Sequence, residues 1–146
     1  MMTEKMFEIE IIDRTHIVFE GEEYFHDPKV RSNRYIFFTP QHVVKIDSNE
    51  RGRVGAQCWG EKDKWDELKD SPYASSFAAI VQAGQVNGYD YVIQDRVFTD
   101  WDQDELDLYD AEDMAQDLAD MCGVGDMHDD NWTVVNGFII IFDYAL

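Results

Sequence analysis

Cysteine, proline and glycine are all scarce in this 146-residue chain, with two, three and nine copies respectively. The two cysteines, Cys58 and Cys122, are too few for a disulfide scaffold and form no CxxC pair, which fits a reducing compartment and speaks against zinc. So little proline and glycine, with 45% apolar and 14% aromatic residues, excludes a fibrous repeat and a disordered chain. Long apolar runs are missing too. The stretch Phe138–Phe142 holds five residues, against the roughly 18 to 20 that a membrane-spanning helix needs. The Met-Thr-Glu-Lys beginning has no hydrophobic signal core. The expectation is one soluble, cytoplasmic domain with no membrane partner, long enough to bury a core but too short for two.

Basic residues are the most telling shortage. There are 12 Lys and Arg against 31 Asp and Glu, a net charge of −19, and Arg96 is the last base. Residues 97–146 therefore hold 14 acids and no base. A direct binder of nucleic acid normally presents a basic stripe to the phosphates, so nucleic acid is excluded as a partner. Cations, basic protein surfaces and proteins that ordinarily grip nucleic acid fit the charge; a plain solvated acidic face fits it as well.

The first 47 residues read mostly as strands. Phe7–Ile11 alternates, His16–Phe25 is aromatic and β-branched, and Arg34–Phe38 with His42–Ile46 flank the turn-like Thr39-Pro40-Gln41 as a hairpin. Gly55–Leu68 reads as a helix whose face carries Cys58, Trp65 and Leu68, with charged residues in the gaps, and Ser71-Pro72-Tyr73 stops it. Ala78–Gln82 and Tyr89–Val97 read as strands, the second bounded by Asn87-Gly88. A long helix follows, with Thr99 as N-cap, Asp102 in its first turn, a stripe of Leu108, Ala111, Ala115, Leu118 and Cys122, and Gly123 as the terminating glycine. Trp132–Val135 and Phe138–Phe142 enclose Asn136-Gly137, the strongest hairpin signal in the chain. Tyr35, Phe37 and Phe38 are expected in the sheet core and Met114, Met121 and Met127 as core filler. Trp59 and Trp65 are expected to pack the helix onto the sheet, and His128 to be structural or solvent-facing. The order makes an α+β protein.

A two-residue turn at Asn136-Gly137 sets a register in which paired numbers sum to 273, bringing Asn131 opposite Phe142 and Asp130 opposite Asp143. A carboxylate and an amide oxygen at the base of one hairpin are hard donors of the kind Mg2+ takes. Asp126, on the preceding polar loop, stands ready as a base or to orient a nucleophile. Asp and Asn also cap loops and turns routinely, but the spacing of Asp126 and Asn131 with Asp143 favours the site.

The stretch Gly125-Asp126-Met127-His128-Asp129-Asp130-Asn131, followed by a hairpin and Phe142-Asp143-Tyr144, resembles the G-D-L-H-x-x-N pattern and the closing Asp motif of the protein kinase and aminoglycoside phosphotransferase superfamily. Val43-Val44-Lys45-Ile46 is similar to the strand whose lysine holds the ATP phosphates. Glu61, 16 residues later on a helix, is similar to that lysine's glutamate partner, with Glu67 its rival. The resemblance implies Asp126 as catalytic aspartate, Asn131 and Asp143 as Mg2+ ligands, Lys45 and Glu61 at the ATP phosphates, and the backbone of Gln94 to Val97 at adenine. It covers about residues 30 to 146, and the short acidic chain is similar to kinase-like proteins encoded by tailed bacteriophages, which would place it in a host cytoplasm.

The chain also departs from the pattern. Val30-Arg31-Ser32-Asn33-Arg34-Tyr35 stands where a glycine-rich loop would cradle phosphate, and Val124 stands where the family has His before the Gly-Asp or Arg-Asp pair. An activation segment and substrate-binding helices would follow Tyr144, so the resemblance implies a truncated kinase-like fold. It would have an antiparallel sheet with one helix over about residues 1–97, a hinge, and a minimal helical part over about 98–146 that ends after the magnesium-site hairpin. Two functions are compatible with these residues. One is a minimal Mg-ATP-binding protein that phosphorylates a hydroxyl of a protein or small molecule. The other is a non-catalytic pseudokinase whose acidic half occupies a basic surface of a host protein, as a DNA mimic does.

Overall fold

A computed structural model describes residues 6–28, 34–47, 57–98, 108–124, 132–135 and 138–144. In chain order the elements are β1 (Ile9–Asp13), β2 (His16–Phe19), β3 (Glu22–Phe25), β4 (Arg34–Phe38), β5 (His42–Asp47), α1 (Gln57–Leu68), a 3-10 turn (Ala74–Ser76), β6 (Ile80–Val86), β7 (Tyr89–Asp95), α2 (Leu108–Cys122), β8 (Trp132–Val135) and β9 (Phe138–Ile141). They fall into two compact units. One comprises Met1–Trp59 with Ile80–Arg96, the other Gly60–Ala79 with Val97–Leu146. Helix α1 begins in the first and continues in the second.

The first unit holds a three-stranded sheet, β1-β2-β3, and a four-stranded sheet, β4-β5-β7-β6, both antiparallel. Ile11, Ile17 and Phe19 from the smaller sheet share one core with Phe37, Val44, Ile46, Tyr91 and Ile93 from the larger. Amide side chains stitch the two together. The Phe7 N–H donates to Gln82 Oε1 at 2.7 Å, Gln82 Nε2 donates back to the Phe7 carbonyl at 3.1 Å, and Asn87 Nδ2 donates to the Ile11 carbonyl at 3.2 Å. At β4 the Ile36 N–H donates to His26 Nδ1 at 3.1 Å.

The run His16–Phe25 is two strands rather than one, because Glu20 and Gly21 both take positive φ, 50° and 82°, and turn the chain back. The same geometry at Asn87 and Gly88, 53° and 82°, closes the β6–β7 hairpin, and β6 runs four residues further than the expected Gln82.

The second unit holds most of α1, then α2 and the β8–β9 hairpin. The hairpin has the expected register, Trp132 opposite Ile141 and Val135 opposite Phe138. Ala115, Ala119 and Cys122 form the buried face of α2, and Gly123 ends it with φ 70°. The N-terminal signals Thr99 and Asp102, and the turn Asn136-Gly137, lie outside the described residues.

Several side chains depart from expectation. Trp59, Met114, Met121 and Phe38 are exposed rather than packed inside. Phe38 sits under the Arg96 guanidinium, 5.1 Å from ring centroid to Cζ, which gives an exposed ring a cationic partner. β9 alternates, with Ile139 and Ile141 buried and Phe138 outside, as a strand covered on one face must. The buried face of α1 is not the apolar stripe its sequence suggests: Glu61 and Lys64 share it with Cys58 and Leu68.

Candidate functional site

Lys45 lies on β5, between Ile36 on β4 and Val92 on β7, with 4% of its surface exposed. A lysine this deep is rare, since an ammonium loses its hydration unless other groups replace it. Strand β5 is tied to the start of α1 chiefly through Asp47, to which the sequence assigns no role. Both Asp47 carboxylate oxygens accept from the Cys58 N–H, at 3.2 and 3.1 Å, as a side chain capping a helix N-terminus does. The Cys58 thiol donates to the Lys45 carbonyl at 3.3 Å. Arg34 pairs across the ladder with Asp47, and its Nη1 lies 3.9 Å from Cys58 Sγ. Burial pushes the Asp47 carboxyl above its ordinary value of 3.8, against the pull of the Cys58 N–H and the Arg34 charge. Only the pairing of Asp with a following helix start, 10 residues apart, hinted at this cap.

Gln94 sits inside the sheet on β7, opposite Val43 on one side and Ile80 on the other, and is buried. Val97 is half-buried, two residues past the strand. Between them, the Arg96 N–H donates to the Gln41 carbonyl at 3.1 Å, and Arg96 Nη1 donates to the Thr39 carbonyl at 2.8 Å. The chain leaving β7 is thereby bound to the β4–β5 turn.

In the second unit Glu61 is fully buried, and its Oε2 accepts from the Tyr144 N–H at 2.9 Å. The helix glutamate therefore reaches the residue directly after Asp143. Asp143 itself is half-buried just past the end of β9. Tyr144 has no exposed surface; its ring meets Phe77 edge to face at 5.2 Å and its hydroxyl donates to the Ala78 carbonyl at 2.7 Å. The Ala78 N–H in turn donates to the Ile141 carbonyl at 2.8 Å.

One turn along α1, Lys64 Nζ donates to the Cys122 carbonyl at 3.0 Å and pairs with Glu67 at 3.0 Å. A cation on the last carbonyls of α2 meets both their hydrogen-bonding need and the negative end of the helix dipole. The rival glutamate, Glu67, thus braces Lys64 at the surface while Glu61 goes inside. Lys45 belongs to the first unit, and Glu61 and Asp143 to the second. Asp126 and Asn131 lie outside the described residues. Among the described residues no three His, Cys, Asp or Glu side chains gather as metal ligands, and no helix is long and apolar enough to cross a membrane.

The fold has counterparts among solved structures and is kinase-like. A co-crystal of WbdD with a kinase inhibitor matches with a TM-score of 0.54 at 13% identity, over 89% of this chain and 34% of that one. A second structure of WbdD, a bifunctional kinase-methyltransferase, matches at 0.53 and 12% identity, over 89% and 36%. The kinase domain of Mycobacterium tuberculosis PknI aligns at 0.47 and 14% identity, over 83% and 58%. The chain spans about a third of the length of the WbdD chains it matches. No protein-family model matches it, and no curated protein matches its sequence.

Proposed function

We propose that the chain is a kinase-like protein that binds Mg-ATP and transfers phosphate to a hydroxyl of a protein or small molecule. The observation that supports this reading best is the bond from the Tyr144 N–H to buried Glu61, in a chain of kinase-like fold. It joins two residues 83 apart in sequence that the motif reading had singled out separately, the helix glutamate and the segment of Asp143.

The donor set fits the metal: a carboxylate from Asp143 and an amide oxygen from Asn131 are hard ligands that suit Mg2+ and leave places for water and phosphate oxygens. When bound, Mg2+ supplies charge neutralisation at the phosphates. Lys45 binds phosphate oxygens, Glu61 keeps the Asp143 segment in place, and Asp126 accepts the proton of the acceptor hydroxyl. Backbone groups between Gln94 and Val97 hold adenine. With 14 acids and no base after Arg96, the protein repels free ATP, so nucleotide affinity is expected to depend on the metal. Calorimetric titration of ATP with Mg2+ tests the assignment. The wild type should bind, and Lys45→Met and Asp143→Asn should each weaken binding by tenfold or more; unchanged affinity in both variants would rule the site out.

A second reading is favoured by one observation on α2. Glu112, Asp113, Asp117 and Asp120 are all exposed and no base stands in its last turn. A non-catalytic protein could use this acidic half to occupy a basic surface of a host protein, in the manner of a DNA mimic. Such binding would weaken steeply with salt and survive Asp143→Asn.

A further inference from the structure

We propose that Tyr144 is a positioning residue: its hydroxyl on the Ala78 carbonyl and its N–H on Glu61 lock Asp143 into one placement before any ligand arrives. The proposal rests on the reading of Asp143 as a metal ligand.

The geometry is a closed circuit through one residue. Ala78 donates its N–H to the Ile141 carbonyl at 2.8 Å and accepts the Tyr144 hydroxyl on its own carbonyl at 2.7 Å. The two backbone groups of Ala78 therefore pin the chain on either side of Phe142 and Asp143. Upstream, the pairing of Ile141 with Trp132 fixes the entry to this segment. Downstream, Glu61 fixes the Tyr144 backbone at 2.9 Å.

A phenylalanine at position 144 would fill the same space against Phe77. The hydroxyl adds a constraint that packing alone does not: a buried O–H without a partner is penalised, so the ring is stable only where its oxygen meets an acceptor. The short 2.7 Å contact meets that need in one ring orientation. A ligand residue whose backbone is held this way has less freedom to lose when the metal binds, which lowers the metal concentration required.

Tyr144→Phe tests the lock, because it keeps the ring and removes only the bond to Ala78. Without ligand, hydrogen exchange at the amide of position 144 should speed up about tenfold, as loss of one buried hydrogen bond implies, with β6 and β7 unchanged. With ATP present, the Mg2+ concentration that half-saturates the thermal shift should rise about tenfold. Phe77→Leu, which loosens the packing and leaves both bonds, should lower the melting temperature without moving the Mg2+ requirement. Unchanged exchange in Tyr144→Phe overturns the lock. Faster exchange with an unchanged Mg2+ requirement, or an equal rise in Phe77→Leu, overturns its positioning role. A wild type that gives no Mg-ATP shift refutes the nucleotide reading and the metal half of this proposal, whereas exchange still decides the lock.

Discussion

Glu61 shows how a carboxyl side chain can sit fully inside a small protein: it accepts a backbone N–H, where hydrophobic periodicity shows only a polar gap. Asp47 solves the same problem with the Cys58 N–H and the charge of Arg34, but incompletely, since burial still raises its carboxyl above 3.8. The sign follows from linkage. The folded state holds this proton more tightly than the unfolded chain, so this group's contribution to stability falls as pH rises from 3.8 through the raised folded value. In urea titrations at a series of pH values, the wild type minus Asp47→Asn stability difference should decline over that range; a difference that is flat or rises contradicts the assignment. Asp13 and Asp66 act the other way. Hydrogen bonds from Thr15 and Lys62 lower their carboxyls, and their contributions are lost as pH falls below 3.8. Cys58 and Cys122 are both buried thiols, and burial raises the Cys122 thiol. Neither should react with a thiol reagent at neutral pH until the protein unfolds, when two equivalents should appear; rapid labelling of the native protein would contradict their burial.

Among the elements, those with a plain period or a strong turn dipeptide are legible in the sequence. The β4–β5 hairpin has the expected strands and Thr39-Pro40-Gln41 turn, and the β8–β9 register agrees pair by pair. In α2, Ala115, Cys122 and the glycine stop are where the spacing sets them, but Leu118 is only half-buried and Ala119 takes the inward place beside it. Helix α1 is legible as a helix, and Cys58 and Leu68 of its expected face are buried, but Glu61 and Lys64 join that face only because backbone groups 83 and 58 residues away make them tolerable inside. Nothing local in a sequence carries that information. For the same reason no local signal marks the Asp47 cap or the Ala78 circuit, whereas Lys45, Glu61 and Asp143 stand out through their resemblance to a family motif. Removing the Lys64 bond by Lys64→Met should destabilise the protein by about 1 to 3 kcal/mol, the penalty of an orphaned buried carbonyl, read by urea unfolding; no loss would mean that the contact is dispensable. Gly123→Ala should be unfavourable for two reasons. Its φ of 70° strains any side chain, and the new Cβ would lie 3.3 Å from Lys64 Nζ. About 1 to 2 kcal/mol is expected from the backbone alone.

At the scale of the whole molecule, a −19 charge and a kinase-like fold act together. The acidic half leaves free ATP little attraction, and a nucleotide site in such a field works only through a metal. Sequence legibility is lowest here. Of the residues that resemble a phosphotransferase, Lys45 belongs to one unit and Glu61 and Asp143 to the other, and Asp126 and Asn131 lie outside the described residues, so fold and motif support one reading by separate routes. Mg-ATP binding is read out by thermal unfolding with ATP and Mg2+ together, ATP with EDTA, and Mg2+ alone. A Mg-ATP site at about 100 times its Kd should stabilise the wild type by roughly 2.7 kcal/mol, with no comparable rise under the other two conditions and none in Asp143→Asn. An equal rise with ATP and EDTA, or no rise under any condition, would contradict the account.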